Sequence, residues 1–385
     1  MSDDYVDRYI NIKGWELYIK LSKSTNTIDN IDTNAIVFIH GLASTHQSFN
    51  DVSSILQRNG YITACIDLKG HGNSINNDNN SNTNTNTNTI TTTSTNTTST
   101  TSNDNDNEVN EFTISSLAND IADIIITLRN DNHYEHCNPW LKPVLLIGHS
   151  YGGTLALEVA STYPSLIQGI ICIDGGHINL KKSFPNYDDC ERELHPPDFE
   201  GLRWNTLEKA VREQWCRDWP ENGIISMLNN FKKVEVQLDL DDFTTKFPKA
   251  DPESPSSQKQ AFDAHLGIEL NQPVIASPKL KVEHVMPKLL KSRHLLLLKN
   301  LWEYNPIEKY PLCQCPVLLL PTGDGGKAPF TINKKDDVKD ATELLIFSNV
   351  IWFETASHDL PSQFPKETAD TILCEMKKEY FISSL

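Results

Sequence analysis

The stretch of sequence that decides the fold runs from Val144 to Gly153 and reads VLLIGHSYGG. Its first four residues are a short apolar run of the kind that forms a buried strand, and an Ala- and Leu-rich helical pattern follows from Tyr151. Between strand and helix lies Gly-x-Ser-x-Gly, which in this context predicts a nucleophile elbow. Such a turn is so tight that its glycines are required for steric reasons, and it lifts the serine hydroxyl above the sheet edge. We therefore predict that Ser150 is a nucleophile.

The rest of the chain alternates between strand-like and helix-like apolar periods. Short apolar strands between helices predict an α/β fold with a mostly parallel, doubly wound sheet that is covered on both faces. Two short runs around Gly14 predict an N-terminal antiparallel hairpin. The alternation stops between residues 177 and 311, where Pro-rich joints and mixed helical segments occur, and it resumes with Val317–Leu320. We expect a core with a helical cap inserted after the sixth strand, Gly169–Ile173.

These breaks divide the chain into five segments. Residues 1–75, 111–176 and 312–385 are expected to form the α/β core, and residues 177–311 to form the cap. Residues 76–110 consist almost entirely of Asn, Thr, Ser and Asp. Because such a tract has almost no apolar side chains to bury, we expect it to be a disordered, low-complexity insertion.

Charge and composition exclude several classes of protein. The chain has 34 Lys and Arg against 51 Asp and Glu, a net charge of −17, whereas a nucleic-acid partner would require a basic face. No apolar run is long enough to predict integral membrane association. The start, Met1–Tyr5, lacks a basic-then-apolar signal pattern, and the eight cysteines are scattered. We expect a cytoplasmic protein with reduced thiols.

A serine hydroxyl needs a base within hydrogen-bond reach, and the base needs an orienting acid. Of the twelve histidines, His358 fits the base best. It follows the last predicted strand and precedes the final helix, and loops at the carboxyl ends of parallel strands are where ligands meet such sheets. His149, inside the elbow, is expected to point away from the base.

Four motifs in this order resemble those of the α/β-hydrolase fold superfamily. They are FIHGL at Phe38–Leu42, DLKGHGNS at Asp67–Ser74, the elbow at Ser150, and SHDLP at Ser357–Pro361. The resemblance covers nearly all of the chain outside the Asn/Thr-rich tract and most of the cap. It implies the α/β-hydrolase fold and a triad in the chain order Ser, acid, His.

The resemblance implies an acid after the seventh strand, where Asp324 follows Val317–Leu320. Two glycines directly behind Asp324 depart from the usual pattern and make that loop pliable. Asp174, which directly follows the sixth strand, is the alternative acid. Three further aspartates also remain open, namely Asp336, Asp337 and Asp359.

The resemblance also implies an oxyanion hole formed by the backbone N–H groups of Leu42 and Tyr151. It thereby predicts a serine hydrolase that cleaves an ester or related acyl bond of a small, partly apolar molecule, with neither a metal nor an organic cofactor. Two other classes remain open. One is a non-catalytic ligand-binding or scaffold protein of the same fold, and the other is a triad-based lyase or carbon–carbon-bond hydrolase. The motifs specify the fold more closely than the substrate.

Overall fold

The computed structural model describes residues 4–23, 35–76, 110–131, 138–199, 202–238, 280–323, 331–378 and 381. Nearly all of the Asn/Thr-rich tract lies outside these residues, as does Asp324, so the expectations for both stay predictions. Within the described ranges, no helix has the length and apolarity needed to cross a bilayer.

Eleven strands occur in the described ranges, and nine of them form one sheet. In chain order they are β1 (Tyr5–Ile12), β2 (Trp15–Ser22), β3 (Ala35–Ile39), β4 (Ile62–Ile66), β5 (Ile75–Asn76), β6 (Val144–His149), β7 (Ile167–Ile173), β8 (Phe231–Leu238), β9 (Leu280–Pro287), β10 (Val317–Leu320) and β11 (Ser348–Val350). The sheet order is β1-β2-β4-β3-β6-β7-β10-β11, with β5 beside β2. Strand β2 is antiparallel to β1, β4 and β5, and the other pairs are parallel. The predicted sheet and N-terminal hairpin are thus confirmed.

Helices cover both faces of this sheet. In chain order the described helices are α1 (Asn50–Arg58), α2 (Ile114–Arg129), α3 (Tyr151–Thr162), α4 (Leu180–Ser183), α5 (Tyr187–Leu194), α6 (Trp204–Ala210), α7 (Glu221–Leu228), α8 (Lys291–Glu303), α9 (Thr331–Leu344), α10 (Leu360–Gln363) and α11 (Pro365–Glu375). Along β3, Val37 and Ile39 pack with α2 and α3, whereas Ile36 and Phe38 pack with α1 and α11. Successive strand residues point to opposite faces, so a strand covered on both sides must be apolar throughout.

The segment between residues 177 and 311, called here the inserted segment, contains α4 to α8 and the antiparallel pair β8–β9. The sequence predicts helices here, and the strand pair is an addition to that prediction. The segment has a small apolar core of its own, and three partly buried tryptophans, Trp204, Trp215 and Trp219, pack against it. The core residues are Phe199, Leu207, Val211, Cys216, Ile224, Leu228 and Val285.

The topology brings five polar side chains to one edge of the sheet. His40, Ser150 and Asp174 directly follow β3, β6 and β7. Thr322 and His358 come after β10 and β11. Because the carboxyl ends of parallel strands share an edge, these residues meet where ligands bind in such sheets.

Candidate active site

Ser150 occupies a strained backbone conformation at the turn between β6 and α3. Its φ of 53° and ψ of −118° lie in a region that residues with a side chain rarely adopt. Such a conformation costs about 1–3 kcal/mol and persists only when the surroundings enforce it. Here the Ser150 N–H donates to the carbonyl of Ile173 at 2.8 Å, and the Ser150 carbonyl accepts from the N–H of Gly153 at 2.9 Å. The neighbouring strand and the first turn of α3 therefore hold the turn in place.

The glycines on either side of Ser150 are required by close backbone contacts. A Cβ atom at Gly148 would lie 2.1 Å from the carbonyl oxygen of Gly152. A Cβ atom at Gly152 would lie 2.1 Å from the carbonyl oxygen of Ile39, at the end of β3. No side chain fits at either position, as the elbow motif predicts.

The loop that follows β3 lies directly against Ser150. A Cβ atom at Gly41 would be only 3.3 Å from the Cβ of Ser150 and 3.1 Å from Nδ1 of His149. Leu42, the next residue, is half-buried, and Tyr151 begins α3 directly after Ser150. The first N–H groups of a helix have no partner within it and favour negative charge. The two amides expected to form the oxyanion hole therefore belong to backbone segments that adjoin Ser150.

His40 orients one of these amides. The N–H of Leu68 donates to its Nε2 at 3.0 Å, so Nε2 must be the acceptor and Nδ1 must carry the ring proton. Nδ1 then donates to the carbonyl of Gly41 at 2.8 Å. The C=O and N–H of one trans peptide point in opposite directions, so this bond sets the direction of the Leu42 N–H.

The His40 ring is kept neutral by its surroundings. It is fully buried, and this burial, together with the neighbouring His71, lowers the pKa of His40 to about 3. The sequence patterns assigned no role to His40. The available signal was its position in FIHGL, directly before Gly41.

His358 is hydrogen-bonded to Asp174. Its Nδ1 lies 2.6 Å from Oδ2 of the carboxylate. The Asp174 side chain is fully buried, whereas 40% of the His358 side chain is exposed. The structure thus brings the predicted base together with the alternative acid that follows β7.

Asp174 is held by further donors on two neighbouring elements. The N–H and hydroxyl of Thr322 donate to its two oxygens at 3.0 and 2.9 Å. The Nζ of Lys334, on α9, donates to the same two oxygens at 2.9 and 3.0 Å. Burial pushes the pKa of Asp174 upward, but the hydrogen bond and charge of His358, with the charge of Lys334, hold it well below its usual range. Asp174 is therefore a carboxylate at neutral pH.

The environment of His358 favours its protonated form. Desolvation is the largest single influence and lowers its pKa, but the hydrogen bond and charge of Asp174, with the charge of Asp359, outweigh it and raise the pKa above the ordinary value. A raised pKa makes the imidazole a stronger base when it is neutral.

His149 supports the loop that carries His358. Its Nε2 lies 2.8 Å from the carbonyl oxygen of His358, so Nε2 carries the proton and donates it. The centroids of the His149 and His358 imidazole rings are 4.8 Å apart. Burial, with the nearby His358, lowers the pKa of His149 to about 4, so this ring is neutral. The expectation that His149 points away from the base is wrong.

Comparisons with known proteins agree with this architecture. A sequence profile of the family described as the alpha/beta hydrolase fold matches residues 34–217. The chain is 24% identical over 132 residues to protein phosphatase methylesterase 1 of Neurospora crassa, covering 33% of this chain and 28% of that protein. It is 23% identical over 227 residues to the sn-1-specific diacylglycerol lipase ABHD11 of Danio rerio, covering 54% of this chain and 57% of that protein. The chain thus spans little more than half of one relative and less than a third of the other.

Solved structures share the fold at low sequence identity. The crystal structure of E-2-(acetamidomethylene)succinate hydrolase aligns with a TM-score of 0.58 and 15% identity, covering 97% of this chain and 100% of that one. The peroxisomal alpha-beta-hydrolase Lpx1 of Saccharomyces cerevisiae aligns with a TM-score of 0.55 and 14% identity, covering 99% of this chain and 89% of that one. At such identities the likeness concerns the fold alone.

Proposed function

Because the chain belongs to the α/β-hydrolase fold superfamily, we propose that it is a serine hydrolase that cleaves an ester or related acyl bond. The observation that carries the proposal is the hydrogen bond between His358 and Asp174 beside the strained turn at Ser150. A nucleophile, a base and an orienting carboxylate are the three parts that acyl transfer by a serine requires. The two curated relatives are named a methylesterase and a lipase, which supports an ester as the substrate.

In the proposed mechanism Ser150 attacks the carbonyl carbon of the substrate. The bond between Oγ and this carbon forms while the hydroxyl proton passes to Nε2 of His358. The Nδ1 proton stays on the ring and donates to Asp174, so that the carboxylate stabilises the imidazolium. The Asp174 side chain accepts this hydrogen bond and is fully buried. We therefore propose Asp174 as the acid in place of Asp324.

The negative charge that develops on the substrate oxygen needs preorganised donors. We assign this role to the N–H groups of Leu42 and Tyr151, the first oriented through His40 and the second at the N-terminus of α3. Collapse of the tetrahedral intermediate breaks the bond to the leaving group, which takes the proton from His358. Water then repeats the sequence, with His358 as its base, and releases the acid from Ser150.

The inserted segment is proposed to be the cap over the substrate. Its helix α7 packs against α10, which begins two residues after His358. The contact is close, because a Cβ atom at Gly223 would lie 2.3 Å from the carbonyl oxygen of Ser362. A cap that abuts the loop of the base lies where it can cover a partly apolar acyl group.

Covalent labelling tests the proposed function. A fluorophosphonate should label the folded wild-type protein at Ser150, as located by mass spectrometry of the peptides. The variant S150A should not be labelled, and the control S161A, which changes a serine further along α3, should be labelled like wild type. Esters from acetyl to dodecanoyl should then be hydrolysed by wild type and not measurably by S150A. An unlabelled wild-type protein, or labelling that persists in S150A, would refute the proposal.

A further inference from the structure

The buried Lys334 contacts the carboxylate of the proposed acid, Asp174. Lys334 lies on α9, and its side chain is 1% exposed. Besides both oxygens of Asp174, its Nζ reaches the carbonyl oxygen of Thr322 at 3.0 Å and the Thr322 hydroxyl at 3.4 Å. Lysines are almost never buried to this degree unless they are paired.

Stability alone is a weak reason for such a pair. Removing two charges from water is so costly that well-packed apolar residues in place of a buried ion pair are often neutral or stabilising. The ammonium of Lys334 contacts the one carboxylate that also binds His358. A change in its charge or position therefore acts on His358 through Asp174.

We infer that Lys334 is a positioning residue of the proposed triad, whose ammonium fixes the Asp174 carboxylate and keeps His358 unprotonated, and so competent as a base, at a lower pH than Asp174 alone would allow. The inference rests on the proposed function.

The charges around His358 support this role. Among the described residues, Asp174 and Asp359 favour the imidazolium, whereas the charge of Lys334 opposes it. His149 and His177 also lie near the site, and burial lowers the pKa of each to about 4, so both are neutral at neutral pH. Of these five groups, Lys334 is the cation that opposes the imidazolium. Without it, burial alone would oppose the two carboxylates, and His358 would stay protonated to a higher pH.

The variants K334Q and K334R separate charge from shape. Glutamine keeps hydrogen-bond donors but loses the charge, and arginine keeps the charge. The matched control is K69Q, since Lys69 is equally buried and its Nζ lies 2.9 Å from a carboxylate oxygen of Asp120, which is not part of the proposed site. Circular dichroism and thermal melting establish that each variant is folded.

Two readouts test the inference. The first is the rate of fluorophosphonate labelling between pH 5 and 9. For K334Q the ratio of the rate at pH 6 to that at pH 8 should be about threefold to tenfold lower than for wild type, whereas K334R and K69Q should resemble wild type. The second is NMR titration of the His358 ring, assigned with H358N, which requires no turnover. Its midpoint should move to higher pH in K334Q and not in K69Q.

Other outcomes would overturn either the inference about Lys334 or the proposed function. An unshifted His358 titration in folded K334Q, or an equal shift in K334R, would overturn the inference. A further variant, K334M, replaces the lysine by an uncharged side chain of similar length. Failure of both K334Q and K334M to fold while K69Q folds would also overturn the inference, by assigning Lys334 to stability alone. If wild type is not labelled at any pH, the proposed function fails, but the NMR titration still measures the effect of Lys334 on His358. The two failures are therefore distinguishable.

Discussion

Replacing Asp174 by asparagine should abolish most of the proposed hydrolase activity while keeping the shape of the candidate site. Asp174 has a φ of 43°, in the left-handed region that asparagine tolerates better than most residues, so the backbone needs no change. The carboxylate accepts hydrogen bonds at both oxygens, from His358, Thr322 and Lys334. An amide offers one oxygen and one NH₂ group, so one set of donors must lose its acceptor.

Either orientation of the amide is damaging. With its NH₂ toward His358, Nδ1 must become the acceptor, and the ring proton moves to Nε2, which can then no longer take the serine proton. With its NH₂ toward Lys334, the ammonium faces another donor, and the negative charge that stabilises the imidazolium is missing in both cases. The corresponding substitution in a serine protease lowers kcat by about 10⁴, so we expect a loss of about 10³–10⁴ in kcat for D174N. Leaving the buried Lys334 without its carboxylate should also destabilise the fold by about 3–5 kcal/mol.

The assay compares D174N with D324N, the same change at the acid that the resemblance implies. Both variants are measured on one ester at a temperature well below their melting temperatures, with circular dichroism confirming the fold. D174N should lose about 10³–10⁴ in turnover, and D324N should stay within about tenfold of wild type. Folded D174N with nearly wild-type turnover, together with a crippled D324N, would show that the acid follows β10 and that our reading of the pair with His358 is wrong.

Two further predictions concern the loop that follows β3 and the pH dependence of the proposed activity. The substitution H40A frees the peptide between residues 41 and 42 to rotate. Because the loss of one oxyanion-hole donor lowers kcat by about 10²–10³, kcat for an ester should fall by about tenfold to hundredfold with little change in KM. A kcat within twofold of wild type would contradict the role of His40. His358, the proposed base, can accept a proton only when it is neutral, and its pKa is raised. The value of kcat/KM should therefore fall as the pH drops through a midpoint above about 6.5, the ordinary value for histidine. A wild-type midpoint at or below that value would count against the link to Asp174.

Much of this molecule could be predicted from local patterns in the chain. The run of four apolar residues before Gly148 predicts a strand buried on both faces, and the steric demands of the tight turn predict Ser150 at its tip. The position of His358 between the last strand and the last helix predicts its place at the sheet edge. These features depend on residues close together in sequence, so hydrophobic period and turn chemistry suffice to identify them.

Other features depend on packing between distant parts of the chain. The strands β8 and β9 pair although residues 239–279 separate them, and alternation in β8 cannot identify so remote a partner. Lys334 lies 160 residues from Asp174, in a helix whose sequence has no motif that marks it. The tautomer of His40 depends on Leu68, at the end of another strand.

The identity of the acid shows the limit most clearly. Asp174 and Asp324 both follow apolar strands of one parallel sheet, so the sequence alone permits either. Which carboxylate meets His358 depends on the distance between loops in space, and that distance follows from the strand order β6-β7-β10-β11 and from the contacts of each loop. In the described structure Thr322 and Lys334 hold Asp174 with its Oδ2 toward the imidazole. Local sequence places a carboxylate at the edge of the sheet, but only the packing of neighbouring strands and helices orients it toward His358.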